Sequence, residues 1–294
     1  MALHSWIMKK LLVIGASGQV GSALMKHLSE KNNVVGTYSS SNKKGLVHLD
    51  ITDEKEVSKL IQKINPSIIF HCSAAISIDF CEKNPDAARK INVDGTKNVV
   101  EAAKKIGAKV VYLSTEYVFD GRKGPYSETD NPNPINVYGK NKLEGEKVVL
   151  SAQNSLVIRS TLIFSLGYDT KSLLNVIVKS LKSGQEIKIV DDQITNPISA
   201  DNLAEAISDL ALKNKSGIYN VASKERMSRY EFAIKAAKAL GLNSSLIKPV
   251  KSAYFRQNAK RPLSCGLKIE KFLRNSKVKL LSLEEAVSCY KNKI

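Results

Sequence analysis

Nowhere in these 294 residues do about 18 consecutive apolar residues occur, so no membrane-spanning helix is expected. The longest apolar runs, LLVIGA, VVYL and SLVI, have the length of buried strands. The four cysteines, Cys72, Cys81, Cys265 and Cys289, form no CxxC pair and have no histidine at metal-ligand spacing. A disulfide scaffold or zinc module is excluded on that pattern, and free thiols in a reducing cytoplasm are expected. Residues 1–7 lack the basic-then-apolar order of a secretion signal and read as an extension, consistent with a cytoplasmic location. Internal repeats and low-complexity linkers are missing too.

Acidic residues are in the minority. With 45 Lys and Arg against 28 Asp and Glu, the net charge of +17 draws phosphate-rich ligands toward the surface. Yet the lysines are dispersed, as in Lys43-Lys44 and Lys104-Lys105, with no basic run of five and no interleaved aromatics. A solvated lysine-rich surface therefore fits better than a nucleic-acid interface, and no nucleic-acid partner is expected.

What is present is enough apolar material, 43%, for a substantial core. Continuous apolar runs predict strands at Leu11–Ile14, Val34–Thr37, Ile68–Cys72, Val110–Ser114 and Leu156–Arg159, the pattern of strands covered on both faces. Helical periodicity falls between them at 20–30, 54–64, 86–106 and 141–151. Alternation of this kind predicts an α/β fold with a doubly wound parallel sheet. Beyond residue 164 the pattern is mixed: helices at 173–182, 200–212, 229–240 and 283–292, and strands at 187–190 and 218–221, with a Pro- and Lys-containing connection at 248–268.

Immediately after the first strand comes Gly15-Ala16-Ser17-Gly18-Gln19-Val20-Gly21, opening into a helix. Glycines at this spacing allow a tight turn and a close approach of backbone N–H groups to a pyrophosphate, whose charge the helix N-terminus stabilises. Gly15, Ser17, Gly18, Gln19, Val20 and Gly21 are therefore candidate cofactor residues, and the domain they open is an NAD(P)-binding Rossmann domain over 8–163 plus about 197–221. The remainder, about 164–196 and 222–294, reads as a smaller, discontinuous substrate lobe. The second strand ends in Tyr38-Ser39-Ser40-Ser41-Asn42-Lys43-Lys44 without a carboxylate to grip a ribose diol. Ser39 and the lysines suit a 2′-phosphate, favouring NADP(H) and leaving NAD(H) open. Asp50-Ile51 offers a carboxylate for an adenine amine, or else belongs with Thr52 and Asp53 to a helix cap.

Ser114-Thr115 closes the fourth of the expected strands, and Tyr138-Gly139-Lys140-Asn141-Lys142 follows at a helix start. Four residues apart, Tyr138 and Lys142 project from one helical face. A nearby ammonium is expected to lower the tyrosine pKa and make it an acid–base group near neutrality, while Thr115 at a strand's carboxyl end can hydrogen-bond a carbonyl.

These features together resemble the extended short-chain dehydrogenase/reductase family, and within it the dTDP-4-dehydrorhamnose reductase family. The likeness is carried by GASGQVG at 15–21, DITD at 50–53, STEYVFDG at 114–121, PYSETDNPNPINVYGKNKLEGE at 125–146, DDQITNP at 191–197 and RPLSCGL at 261–267. It implies reduction of the C4 keto group of a dTDP-linked 6-deoxy sugar, with Thr115, Tyr138 and Lys142 as the catalytic set and Tyr138 and Lys142 also among the cofactor-binding residues. It further implies that Cys72, Ser73 and Ala74 pass beside the cofactor, that Asn92 braces a central helix, and that Thr115, Glu116, Phe164 and Arg261 contact a nucleotide-sugar substrate. The chain departs from the family in having Glu116 where Asp is usual, and Ser160–Phe164 where an aromatic pair with Trp is usual. Some relatives form homodimers bridged by magnesium on glutamates; a homodimer is admitted here, but no glutamate of this chain aligns with those ligands, so no metal is expected. The same strings are similar to the regulatory β subunit of methionine adenosyltransferase, an NADP-binding partner protein, and to other nucleotide-sugar reductases and epimerases.

Overall fold

The computed structural model describes residues 9–41, 43–167 and 172–291, so the expected extension at 1–7 and the end of the last expected helix lie outside the described residues. Strands β1 (Lys10–Ile14), β2 (Asn33–Tyr38), β3 (Val47–His48), β4 (Ile68–His71), β5 (Lys109–Thr115) and β6 (Leu156–Ser160) alternate with helices α1 (Gln19–Leu28), α2 (Glu54–Ile64), α3 (Ile78–Lys83), α4 (Pro85–Arg89), α5 (Gly95–Lys105) and α6 (Val137–Leu150). Then come β7 (Ile163–Phe164), α7 (Leu173–Lys182), β8 (Ile187–Val190), β9 (Ile194–Thr195), β10 (Ile198–Ser199), α8 (Ala200–Leu212) and β11 (Gly217–Asn220). The chain closes with β12 (Met227–Ser228), α9 (Arg229–Ala239), β13 (Ile247–Val250), α10 (Glu270–Asn275) and α11 (Leu283–Ser288).

Within the described residues a seven-stranded sheet runs in the order β11-β6-β5-β4-β1-β2-β3, every pairing parallel. The doubly wound sheet expected from the alternating pattern is thus what forms. Its strands are apolar without interruption because both faces are covered. On one face Leu11, Val13, Phe70 and Ile158 pack with Leu24, Leu203 and Ile207 of α1 and α8; on the other Leu12, Ile14, Ile69 and Val157 pack with Val57, Ile61 and Val99 of α2 and α5. Each such side chain contributes about 1.5–3 kcal/mol by leaving water.

Strand order reverses at β1, which has β2 on one side and β4 on the other. The loops leaving β1 and β4 therefore diverge to opposite faces and open a crevice at their carboxyl ends. A separate hydrophobic cluster gathers Leu174, Ile177, Phe232, Ala236, Leu283 and Val287 from α7, α9 and α11 around Phe164. Cys265, Leu267, Ile269 and Phe272 instead pack with the main sheet's cluster, so the chain returns to that sheet near its end.

Beside short elements and shifted ends that the sequence pattern does not mark, two segments differ from the sequence expectation in kind. The helix expected over 86–106 is broken into α4 and α5 by a π-turn at Lys90–Asp94. Buried within that turn, Asn92 exchanges both hydrogen bonds with the Ala75 backbone, its Oδ1 accepting from the amide at 2.7 Å and its Nδ2 donating to the carbonyl at 3.1 Å. The widened turn sets Asn92 against Ala75 in the loop after β4. Within the connection at 248–268, Ile247–Val250 pairs in parallel with β8, which propensity hides because Pro249 cannot donate to a ladder.

Candidate active site

Gly15 takes φ +83°, a conformation that favours glycine, and a Cβ there would meet the Ser73 backbone nitrogen at 2.8 Å. At Gly21 a Cβ would lie 2.1 Å from the Gly15 carbonyl oxygen, so α1 can abut the loop only without a side chain. Gly18, the N-cap of α1, has no side-chain cap, and nothing but the Gly15 oxygen, at 3.4 Å, approaches its Cβ position. An uncapped helix N-terminus and open space above it make a phosphate cradle. Lys43 Nζ donates to the Ser17 carbonyl at 2.7 Å and ties the end of the second strand region to this loop.

A cleft of about 450 Å³ starts at this cradle. Gly15, Ser17, Gly18, Gln19, Val20, Gly21, Ser39, Cys72, Ser73, Ala74, Thr115, Glu116 and Tyr138 all line it. Half-buried Gln19 has its amide nitrogen enclosed and without a partner among the described residues. Sequence reasoning passed over Thr37, Tyr38, Tyr117, Arg229 and the stretch Ser160–Ile163, which also line the cleft. The strand-end rule could have found the residues closing β2 and β6; no local signal marks Arg229.

Five expected residues, Asp50, Ile51, Lys142, Phe164 and Arg261, do not reach the cleft wall. Leu49 faces it in place of Asp50 and Ile51. Asp50 accepts from Thr52 N at 2.9 Å, and Asp53 caps α2, so this segment takes the capping alternative, while Ile51 is buried beneath Gly95. Phe164 is 1% exposed and packs against Phe232 at 5.2 Å between ring centroids. Its neighbour Ile163 takes the cleft side, since successive strand residues point to opposite faces. Arg261 is committed to Asp79, Nη2 to Oδ2 at 2.7 Å, and donates Nη1 to the Ala259 carbonyl.

Lys142 sits below the wall, buried, with its Nζ 3.8 Å from the centre of the Tyr112 ring. Burial pulls its pKa down to about 7 against the opposing pull of the Glu146 carboxylate. Glu146, one turn further along α6, forms a buried fork with Arg159, Nε to Oε1 at 2.9 Å and Nη2 to Oε2 at 2.7 Å, and also accepts from Ser114 Oγ. Enclosure pushes the Tyr138 phenol above its ordinary range, and a Thr115 hydrogen bond acts in the opposite direction. The expected lowering of Tyr138 by Lys142 is not found, because the lysine is itself desolvated and faces Tyr112. Burial also holds His71 near 3 and Cys72 near 12, so both stay neutral at pH 7.

Glu116, next to Thr115, is 4% exposed. Thr195 Oγ1 donates to its carboxylate at 2.8 Å and Gly266 N at 2.9 Å, joining β9 and the 264–267 segment to the end of β5. Burial raises its pKa to about 7 in spite of those hydrogen bonds. A carboxyl raised on folding stabilises the fold in its protonated form, fully at low pH, and that contribution is lost as pH climbs from the ordinary carboxylate range through 7. Glu116→Gln retains an acceptor for Gly266 and a donor for Thr195. By chemical denaturation it is expected to match wild type below pH 4 and to exceed it at pH 8 by on the order of 3 kcal/mol. A pH-independent difference between the two would refute the assignment; His71 and Lys142 titrate in both proteins and cancel.

Among the described residues no cluster of three or more His, Cys, Asp or Glu could hold a metal ion, and no helix is long and apolar enough to cross a membrane.

Comparison with known proteins gives three findings. A family model described as RmlD substrate binding domain matches residues 8–294. Methionine adenosyltransferase 2 subunit beta of Danio rerio is 32% identical over 300 residues, covering 97% of this chain and 89% of that protein. Among solved structures, dTDP-4-dehydrorhamnose reductase from Bacillus anthracis in complex with NADP superposes with a TM-score of 0.88 at 31% identity, covering 98% of this chain and all of that one. A hypothetical dTDP-4-dehydrorhamnose reductase from Sulfolobus tokodaii gives a TM-score of 0.86 at 37% identity, covering 94% and 98%.

Proposed function

Because the chain belongs to the RmlD substrate binding domain family, within the extended short-chain dehydrogenases/reductases, we propose that it is an NADPH-dependent reductase of the C4 keto group of dTDP-4-dehydro-6-deoxy-L-mannose. The carrying observation is that Thr115 and Tyr138 line one continuous cleft with the glycine cradle of α1. The cradle fits a dinucleotide: Gly15, Ser17, Gly18 and the first turn of α1 would hold its pyrophosphate, with Ser39 and Lys43 beside the adenosine ribose and Cys72–Ala74 along the nicotinamide half. When bound, the reduced nicotinamide supplies the hydride.

The chain's own groups do the rest. Thr115 hydrogen-bonds the carbonyl oxygen and polarises it, and Tyr138 delivers a proton to that oxygen as charge develops. Lys142, one turn from Tyr138 on α6 and with its pKa brought down to about 7 by burial, returns a proton to the phenolate after each turnover. The Glu146–Arg159 fork beneath fixes α6 against β6 and hence the height of Tyr138 and Lys142. The smaller cluster around α7, α9 and α11 we take as the sugar-binding lobe.

The test is oxidation of NADPH by purified protein with enzymatically generated keto sugar nucleotide, repeated with NADH. Sugar-dependent consumption that favours NADPH is expected. The zebrafish relative motivates a second reading, a regulatory NADP-binding subunit, because it aligns over 97% of this chain. Tight NADPH binding with no turnover, together with retention of a methionine adenosyltransferase on the immobilised protein, would establish that reading and reject the first.

A further inference from the structure

Arg229 lines the cleft together with Thr115, Tyr117 and Tyr138, although 91 residues separate it from Tyr138 in the sequence. Its backbone is firmly held. Ser228 caps α9 in a reciprocal capping box with Glu231, β12 pairs with β9, and Arg229 N donates to the Gln193 carbonyl at 3.0 Å. Its guanidinium is not consumed in the same way. Nη2 reaches the Tyr117 hydroxyl only at 3.5 Å, the outer limit of a hydrogen bond. Arginine ion pairs among the described residues belong to Arg89, Arg122, Arg159 and Arg261. Glu116 feels the charge of Arg229, yet its carboxylate is already engaged by Thr195 and Gly266.

A half-buried guanidinium with five donors, one long contact and no paired acid among the described residues is poised for an anion entering the cleft. Its place relative to the reacting group is also defined. The Tyr117 ring that it touches meets the Tyr138 ring edge to face, 6.1 Å between centroids, so an anion on Arg229 lies about one aromatic side chain from the proposed proton donor. We propose that Arg229 is the anion-recognition residue of the substrate end, binding phosphoryl oxygens next to the sugar and selecting a sugar diphosphate over a free sugar. This rests on the reductase reading and narrows it to the group that anchors the substrate. The planar fork suits two phosphoryl oxygens at once, which an ammonium does not.

The experiment titrates dTDP, a probe that cannot react, into NADP-saturated wild type, Arg229→Gln and Arg229→Lys by calorimetry, alongside steady-state kinetics with the keto sugar nucleotide. Arg229→Gln is expected to weaken dTDP binding roughly ten- to a hundredfold and to raise KM for the sugar nucleotide by a similar factor, the loss falling on KM rather than kcat. Arg229→Lys recovers part of the affinity. NADPH affinity follows wild type and reports that the variants are folded. Wild-type dTDP affinity in Arg229→Gln overturns the assignment and leaves the reductase reading intact. Arg229-dependent dTDP binding without turnover of the keto sugar upholds Arg229 and overturns the reductase reading, and a wild type that binds no dTDP overturns the Arg229 assignment.

Discussion

Tyr138→Phe is expected to lower turnover of the keto sugar nucleotide on the order of 10²- to 10⁴-fold, the span typical of a lost acid–base group. The substitution removes one oxygen and keeps the ring, so the edge-to-face contact with Tyr117 and the packing of α6 persist. NADPH affinity, measured by fluorescence titration, should stay near wild type, because the glycine cradle that grips the cofactor is formed by other residues. Loss on turnover without loss on cofactor binding is the signature of a proton donor. A variant as active as wild type would remove Tyr138 from the chemistry, and one that no longer bound NADPH would make it a structural residue of the cofactor site.

The second large effect lies under the site. Arg159→Met is expected to destabilise the protein by about 3–5 kcal/mol, since it leaves the Glu146 carboxylate buried with only Ser114 and Lys142 for company. Arg159 and Glu146 are each 2% exposed at the side chain, so water cannot replace the lost fork. In thermal unfolding the midpoint should drop on the order of 10 °C. Arg159→Met combined with Glu146→Leu should recover most of that loss, because an apolar pair of similar volume carries no uncompensated charge. If the double variant were no more stable than Arg159→Met, the penalty would have to come from lost packing against Phe119, over whose ring Arg159 lies. A single variant within 1 kcal/mol of wild type would show that Glu146 finds water or a proton instead.

Much of this molecule is written in short-range pattern. Continuous apolar runs mark the central strands because a parallel sheet covered on both faces has no polar side to record. The glycine spacing marks the cradle because contacts at Gly15 and Gly21 exclude side chains, and the four-residue step from Tyr138 to Lys142 marks one face of a helix. From these the sequence by itself determined the doubly wound sheet, the position of the nucleotide cradle and the strand end that bears Thr115.

Tertiary structure alone decided which side chains meet there. Whether Ile163 or Phe164 faces the cleft depends on one residue of strand register, which composition does not encode. Burial raises Glu116 to about 7 against the opposing pull of hydrogen bonds from Thr195 and Gly266, 79 and 150 residues away in the chain. Lys142 was legible as a neighbour of Tyr138, but its burial over Tyr112, and so its own depressed pKa, depends on how α6 seats on β5. Arg229 arrives in the cleft through the pairing of β9 with β12. Local sequence sets backbone conformation and periodicity, whereas burial and electrostatic potential are sums over neighbours brought together by long-range folding; the cradle was therefore readable in advance, and the charges around the reacting groups were not.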